Sequence, residues 1–147
     1  MAERVIFGSD HAGLALRGEA MKVAKAAGLE VEDLGPFSGD SVDYPDYARQ
    51  VGESVAAGRA RLGVLVCGTG IGMSIAANKV KGIRAAHCTT EYEARMARAH
   101  NDANVLCLGE RVVGIGLGGA IVKAFFETPF EGGRHARRVD KMRDLER

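Results

Sequence analysis

Apolar residues along the chain fall into short strand-like runs separated by stretches with helical spacing. Arg4–Phe7 is the first run and ends in Gly8-Ser9-Asp10-His11. From Ala12 to Ala27 the period changes: Leu14, Leu16, Met21, Val23 and the alanines favour a helix, with Gly28 suited to its C-terminal cap. Glu30–Leu34 alternates and stops at Gly35-Pro36, which reads as a second strand before a loop over Phe37–Asp46. Pro45 then precedes a predicted helix over Asp46–Ala57, closed by Gly58. Leu62–Val66 is continuously apolar, as expected of a strand buried on both faces. A helix over Ile71–Val80, a strand over Ile83–His87 and a charged helix over Glu91–His100 follow. A strand over Val105–Leu108 and a helix over Ile115–Phe126 complete the alternation, and Gly133–Glu146 reads as a basic terminal helix.

Strands alternating with helices at this spacing predict a parallel sheet covered on both faces. No repeat, low-complexity stretch or linker interrupts the pattern. Residues 1–147 are therefore expected to form a single α/β domain of the three-layer, Rossmann-like class, with a basic helix over about 133–146.

Composition adds only limits. The 147 residues are 46% hydrophobic and 27% charged, ordinary for a globular chain. A net charge of +1 gives no general field for nucleic acid or an acidic membrane, so any attraction for anions is local. Arg134, Arg137 and Arg138 are where it would be concentrated. No apolar run approaches the roughly 20 residues that span a bilayer, and MAERVIFGSD runs into a strand without a signal-peptide pattern. Three cysteines, none in a CxxC pair, fit a reducing compartment and argue against a structural zinc site. The expectation is a cytoplasmic protein with no nucleic-acid or membrane partner.

Ligands of open parallel α/β sheets bind beyond the carboxyl ends of the strands, near a switch in strand order. That rule selects Gly8–His11, Cys67–Gly72 and Cys88-Thr89-Thr90. The second stretch lies within VLVCGTGIGMSIAANK, Val64–Lys79, where a thiol stands between a buried strand and a glycine-rich turn. As a dinucleotide fingerprint it is incomplete: Gly68-Thr69-Gly70-Ile71-Gly72 has Met73 in place of the third glycine, and the next strand ends in His87 where an acid is required. It also lacks the Gly-Lys-Ser/Thr of a Walker loop. What remains is a nest of backbone amides at a helix start, suited to an anion or a developing oxyanion, with Cys67 where that end favours thiolate.

Each of these features has a structural alternative. Cys67 could be a small apolar filler, and Cys88 and Cys107, which lack such surroundings, keep that reading. Asp10-His11 is a site candidate at the same edge, whereas His100-Asn101 could be no more than a helix C-cap. Arg134 and Arg138 stand four apart on one helix face, suited to gripping a phosphate, or they are no more than a solvated basic tail. The cluster Gly114–Gly119 has no reactive neighbour and reads as tight packing.

Taken together, GSDHAG (Gly8–Gly13), SVDYPDYA (Ser41–Ala48), CGTGIGMSIAANK (Cys67–Lys79), the stretch from His100-Asn101 to Leu108-Gly109-Glu110-Arg111, and GGRHARRVDKM (Gly132–Met142) resemble the ribose-5-phosphate isomerase B / galactose-6-phosphate isomerase family. The resemblance implies a five-stranded parallel sheet of order 2-1-3-5-4. It also implies homodimers whose active sites are completed by the neighbouring chain, some pairing further into tetramers. The implied activity is metal-free and cofactor-free interconversion of ribose 5-phosphate and ribulose 5-phosphate through a cis-enediolate, within the pentose phosphate pathway.

By the same resemblance Cys67 is the base, Thr69 assists proton movement, and His100 opens the furanose ring. The amides of Gly68, Gly70, Ile71 and Gly72 face the enediolate. Asp10, Tyr44 and Asn101 hold or orient hydroxyls, and His11, Arg111, Arg134 and Arg138 bind the phosphate. A branch of the family that lacks the cysteine carries a glutamate base at the position of Met73; Cys67 with Met73 puts this chain in the cysteine branch. Allose 6-phosphate and a tetrose 4-phosphate are alternative substrates, and a non-catalytic sugar-phosphate-binding module is the non-enzyme alternative.

Overall fold

Where an apolar run is flanked by turn residues the chain forms a strand, and five such strands make one parallel sheet. The computed structural model describes residues 3–146. In chain order the elements are β1 (Arg4–Ser9), α1 (Leu14–Ala26), β2 (Glu30–Asp33), α2 (Tyr44–Ala56), β3 (Leu62–Cys67), α3 (Ile71–Ala77), β4 (Ala85–His87), α4 (Glu91–Ala99), β5 (Val105–Gly109), α5 (Glu110–Glu127) and α6 (Arg134–Arg143). The strand order is β2-β1-β3-β5-β4, all parallel, as the resemblance implied.

Side chains of successive strand residues point to opposite faces, and the core divides accordingly. Val5, Phe7, Val64, Val66, Leu106 and Leu108 pack toward α1, α4 and α5. Ile6, Leu65, Cys67, Val105 and Cys107 pack toward α2 and α3. The three-layer α/β/α class is therefore observed. β1 and β3 are direct neighbours, with Ser9 level with Val66 and Cys67 level with Gly109 of β5. The switch in strand order consequently falls beside Cys67.

Several boundaries differ from the expected ones, each for a local reason. Helix α2 starts at Tyr44, because Pro45 at its first turn needs no hydrogen-bond partner and so begins the helix without interrupting it. Helix α3 stops at Ala77, three residues short of the expected end. There the side chain of Asn78 exchanges hydrogen bonds with the backbone of Ala85, donating to its carbonyl and accepting from its amide. That clamp, with Asn104 Oδ1 accepting from the Arg84 amide, shortens β4 to three residues. Helix α5 starts five residues earlier than expected and kinks at Gly114 (φ 69°, ψ −174°). Helix α6 covers only Arg134–Arg143 of the expected 133–146. Within the glycine cluster, Gly118 does serve packing, since Leu16 of α1 occupies the space a Cβ would need, but Gly114 and Gly116 face open space.

Candidate active site

Strand β3 is buried throughout and delivers Cys67 as its last residue, 5% exposed. The chain then turns through Gly68, Thr69 and Gly70 into α3. Gly70 takes a left-handed conformation (φ 84°), and a Cβ there would lie 2.7 Å from the His87 ring and 2.9 Å from the backbone of Leu108. In that conformation the Gly70 amide donates to Cys67 Sγ across 3.1 Å. The Thr69 hydroxyl accepts from the Ile71 amide at 3.2 Å, and the amide of Arg111 donates to the Gly68 carbonyl at 3.1 Å.

A cleft of about 430 Å³ opens above this turn, lined by Asp10, Tyr44, Cys67, Gly68, Thr69, Ile71, Gly72 and Ile75. Asp10 is held at its edge: its amide donates to the Val66 carbonyl at 3.1 Å, and its carboxylate accepts from the Ala12 amide at 2.8 Å. The Tyr44 ring covers Gly72 so closely that a Cβ on that glycine would lie 2.5 Å from it. His11 is exposed, and its Nδ1 accepts from the Val42 amide at 3.2 Å, tying the loop before α2 to the rim. Arg111, exposed on the first turn of α5, passes beside Gly68.

The other two cysteines are packing groups. Burial pushes the Cys88 thiol up to about 12, with the nearby Glu93 carboxylate adding to the effect. Burial likewise raises Cys107 well above the ordinary thiol range. The third stretch selected by the strand-end rule is also structural. Thr90 and Glu93 form a reciprocal capping box on α4, and the Glu93 carboxylate sits below its usual range because the Thr89 and Thr90 groups donate to it.

The remaining expected residues lie elsewhere. His100 caps the carboxyl end of α4, and β5 begins five residues later, at its amino end. Cys67 is level with Gly109, at the opposite end of that strand. At about 3.3 Å per residue, the length of β5 separates the two levels by roughly 15 Å. Asn101 is exposed beside His100. Arg134 and Arg138 are exposed on α6, whose His135 stacks on the His100 ring with centroids 4.1 Å apart and planes 9° from parallel. Within one chain, then, Asp10, His11, Tyr44, Cys67, Thr69, the glycine amides and Arg111 gather at one end of the sheet. His100, Asn101, Arg134 and Arg138 gather at the other.

Three contributors were missed in the sequence. Arg17 is buried and donates to Ser9 Oγ at 2.6 Å and to the Pro36 carbonyl at 2.7 Å, with Nε 3.3 Å from the Asp33 carboxylate. It pins the end of β1 that presents Asp10. Glu110 accepts from the Leu16 amide at 2.7 Å, joining the starts of α1 and α5. His87 stands behind Gly70 with its Nε2 buried and without a hydrogen-bond partner. A charged residue in an otherwise apolar helix face was the available signal for Arg17; the other two depend on pairings distant in sequence.

A family model described as Ribose/Galactose Isomerase matches residues 5–142. Ribose-5-phosphate isomerase B of Escherichia coli is 46% identical over 98% of this chain and 97% of its own. The structure of ribose-5-phosphate isomerase B from Clostridium thermocellum superposes with a TM-score of 0.94 at 52% identity, covering 97% of each chain. That of the Mycoplasma genitalium enzyme, with bound ribulose 5-phosphate, gives a TM-score of 0.95 at 44% identity over 99% of this chain and 97% of that one.

Proposed function

The chain belongs to the ribose/galactose isomerase family, and on that premise we propose that it interconverts ribose 5-phosphate and ribulose 5-phosphate, with Cys67 as the base. The observation that carries this reading is the Cys67 sulfur under the Gly70 amide, on the floor of a cleft edged by Asp10 and Tyr44. In the open-chain aldose, Cys67 removes the proton on carbon 2. The electron pair forms the C1–C2 double bond and the C1 carbonyl oxygen becomes the enediolate oxygen. Returning the proton to carbon 1, while the C2 hydroxyl gives up its own proton, leaves the ketose. Thr69 passes that proton between the two oxygens.

The developing charge lies beside the amides of Gly68, Gly70, Ile71 and Gly72, held in place before reaction. Loss of one such donor costs about 100- to 1,000-fold in rate elsewhere. Asp10 and Tyr44 hold sugar hydroxyls, and His11 and Arg111 meet the phosphate from this side.

His100 opens the furanose by taking the anomeric hydroxyl proton and supplying one to the ring oxygen, with Asn101 orienting the sugar. Arg134 and Arg138 complete the phosphate grip. Since Cys67 and His100 sit at opposite ends of one sheet, both reach a single sugar only if His100 and its neighbours come from a second copy. In this reading the working unit is a homodimer, able to pair into a tetramer, and residues 1–147 are one catalytic domain. The exposed apolar side chains of Ile71 and Ile75, which line the cleft, suit such a contact. The reaction belongs to the non-oxidative pentose phosphate pathway in the cytoplasm; no helix among the described residues is long and apolar enough to cross a membrane.

Turnover of ribose 5-phosphate in the presence of chelator, beside allose 6-phosphate and erythrose 4-phosphate, tests the proposal. Strong preference for ribose 5-phosphate is expected. Preference for another sugar would keep the chemistry and overturn the substrate, and absence of turnover on all three would overturn the enzyme reading.

A further inference from the structure

The imidazoles of His100 and His135 and the carboxylate of Glu131 converge from two segments far apart in sequence: His100 closes α4, and Glu131 and His135 stand four residues apart around the start of α6. One donor atom from each lies within 4.8 Å of the others. Glu131 Oε1 is 3.5 Å from His135 Nε2 and 3.9 Å from His100 Nε2. The backbone fixes this meeting point: the Glu131 amide donates to the Ala99 carbonyl at 3.0 Å, and the His135 amide to the Gly132 carbonyl at 3.0 Å.

Two neutral imidazole nitrogens with one carboxylate oxygen are the donor set of a borderline divalent ion. A tetrahedral ion with bonds of about 2.0–2.1 Å needs donors about 3.3 Å apart. The Glu131–His135 pair is already near that spacing at 3.5 Å, and closing the rest requires the stacked rings to tilt so that both imidazoles present a nitrogen to one ion. We propose that His100, Glu131 and His135 form a zinc-binding site whose occupation inhibits the enzyme by withdrawing His100 from ring opening.

The binding part stands on the geometry alone. The inhibitory part rests on the role given to His100 above, and the two are separable by experiment. Cys67 is itself a soft ligand, so binding is read first on Cys67→Ala protein, titrated with zinc chloride by calorimetry. One zinc per chain is expected, lost in Cys67→Ala/His135→Ala and weakened at least about 10-fold in Cys67→Ala/Glu131→Gln, a loss that even outer partners of metal sites produce. Glu131 is an exposed side chain, so the second variant reports even if the first fails to fold. Absence of binding, or binding unchanged by Glu131→Gln, would overturn the site.

With Cys67 intact, zinc should inhibit turnover of ribose 5-phosphate reversibly on chelation. Glu131→Gln should keep the basal rate and need about 10-fold more zinc for the same inhibition. Inhibition by zinc at equal concentrations in both proteins would assign it to the thiol and overturn the inhibitory role, leaving the calorimetric result to decide the site.

Discussion

The amide of Gly70 points at the sulfur of Cys67 from 3.1 Å. This contact ties the proposed base to the turn that would receive the enediolate, so loop shape and base position are set by one backbone conformation.

Gly70→Ala should therefore damage catalysis more than stability. The new Cβ would require a left-handed conformation, costing roughly 1–2 kcal/mol, and would press on His87 and on the backbone of Leu108. The expected outcome is a folded protein with a lowered Tm and kcat reduced about 100-fold or more. Near-normal kcat would show that the Gly70 amide does not serve the reaction.

Cys67→Ala is expected to fold, bind sugar phosphate and lose about 100- to 10,000-fold in kcat, the usual range for removing a positioned base. Calorimetric binding of ribose 5-phosphate beside steady-state kinetics checks both halves. Turnover close to that of the unaltered protein would remove Cys67 from the role.

Arg17→Met tests the support beneath Asp10. The substitution keeps the side-chain length but leaves Ser9 Oγ and the Pro36 carbonyl, both within the buried end of β1 and its neighbouring loop, without their donor. A loss of about 2–4 kcal/mol in urea unfolding is expected, with a raised KM because Asp10 and the His11 loop loosen together.

Alkaline pH should destabilise the fold through Cys88. Its thiol is held protonated up to about 12 in the folded chain, against an ordinary value of 9.0. The unfolded chain releases this proton first, so the contribution is complete below about pH 9 and is lost as pH rises toward 12. Thermal unfolding should show a Tm that falls between these limits. In Cys88→Ala the fall should be shallower, though not absent, because Cys107 is shifted in the same direction. An identical slope in both proteins would contradict the assignment.

Much of the site was legible from sequence because it depends on strand ends. The apolar run of β3 placed Cys67 at a carboxyl edge, and the glycines after it required a tight turn. That Asp10 shares this edge follows only once β1 and β3 are neighbours, which the resemblance supplied and local patterning did not. The start of α5 was hidden because Gly114 reads as a break before the helix; in the fold it is a kink (φ 69°, ψ −174°) that joins the turn begun at Glu110 to the rest of α5. The Glu110 contact with Leu16 spans 94 residues, and the stacking of His135 on His100 needs two segments to meet at the far end of the sheet. Neither leaves a periodic trace.

The shared site is the claim on which the whole account turns, and mixed dimers test it most directly. One chain carries Cys67→Ala; the other carries His100→Ala with Arg134→Ala; differently tagged, they are purified as the hybrid. Each parent should be nearly inactive. The hybrid holds one site with every group intact and one with neither set, so it should recover about half of the unaltered specific activity. A hybrid as inactive as its parents would show that Cys67 of one chain and His100 of the other do not serve one site, contradicting the account.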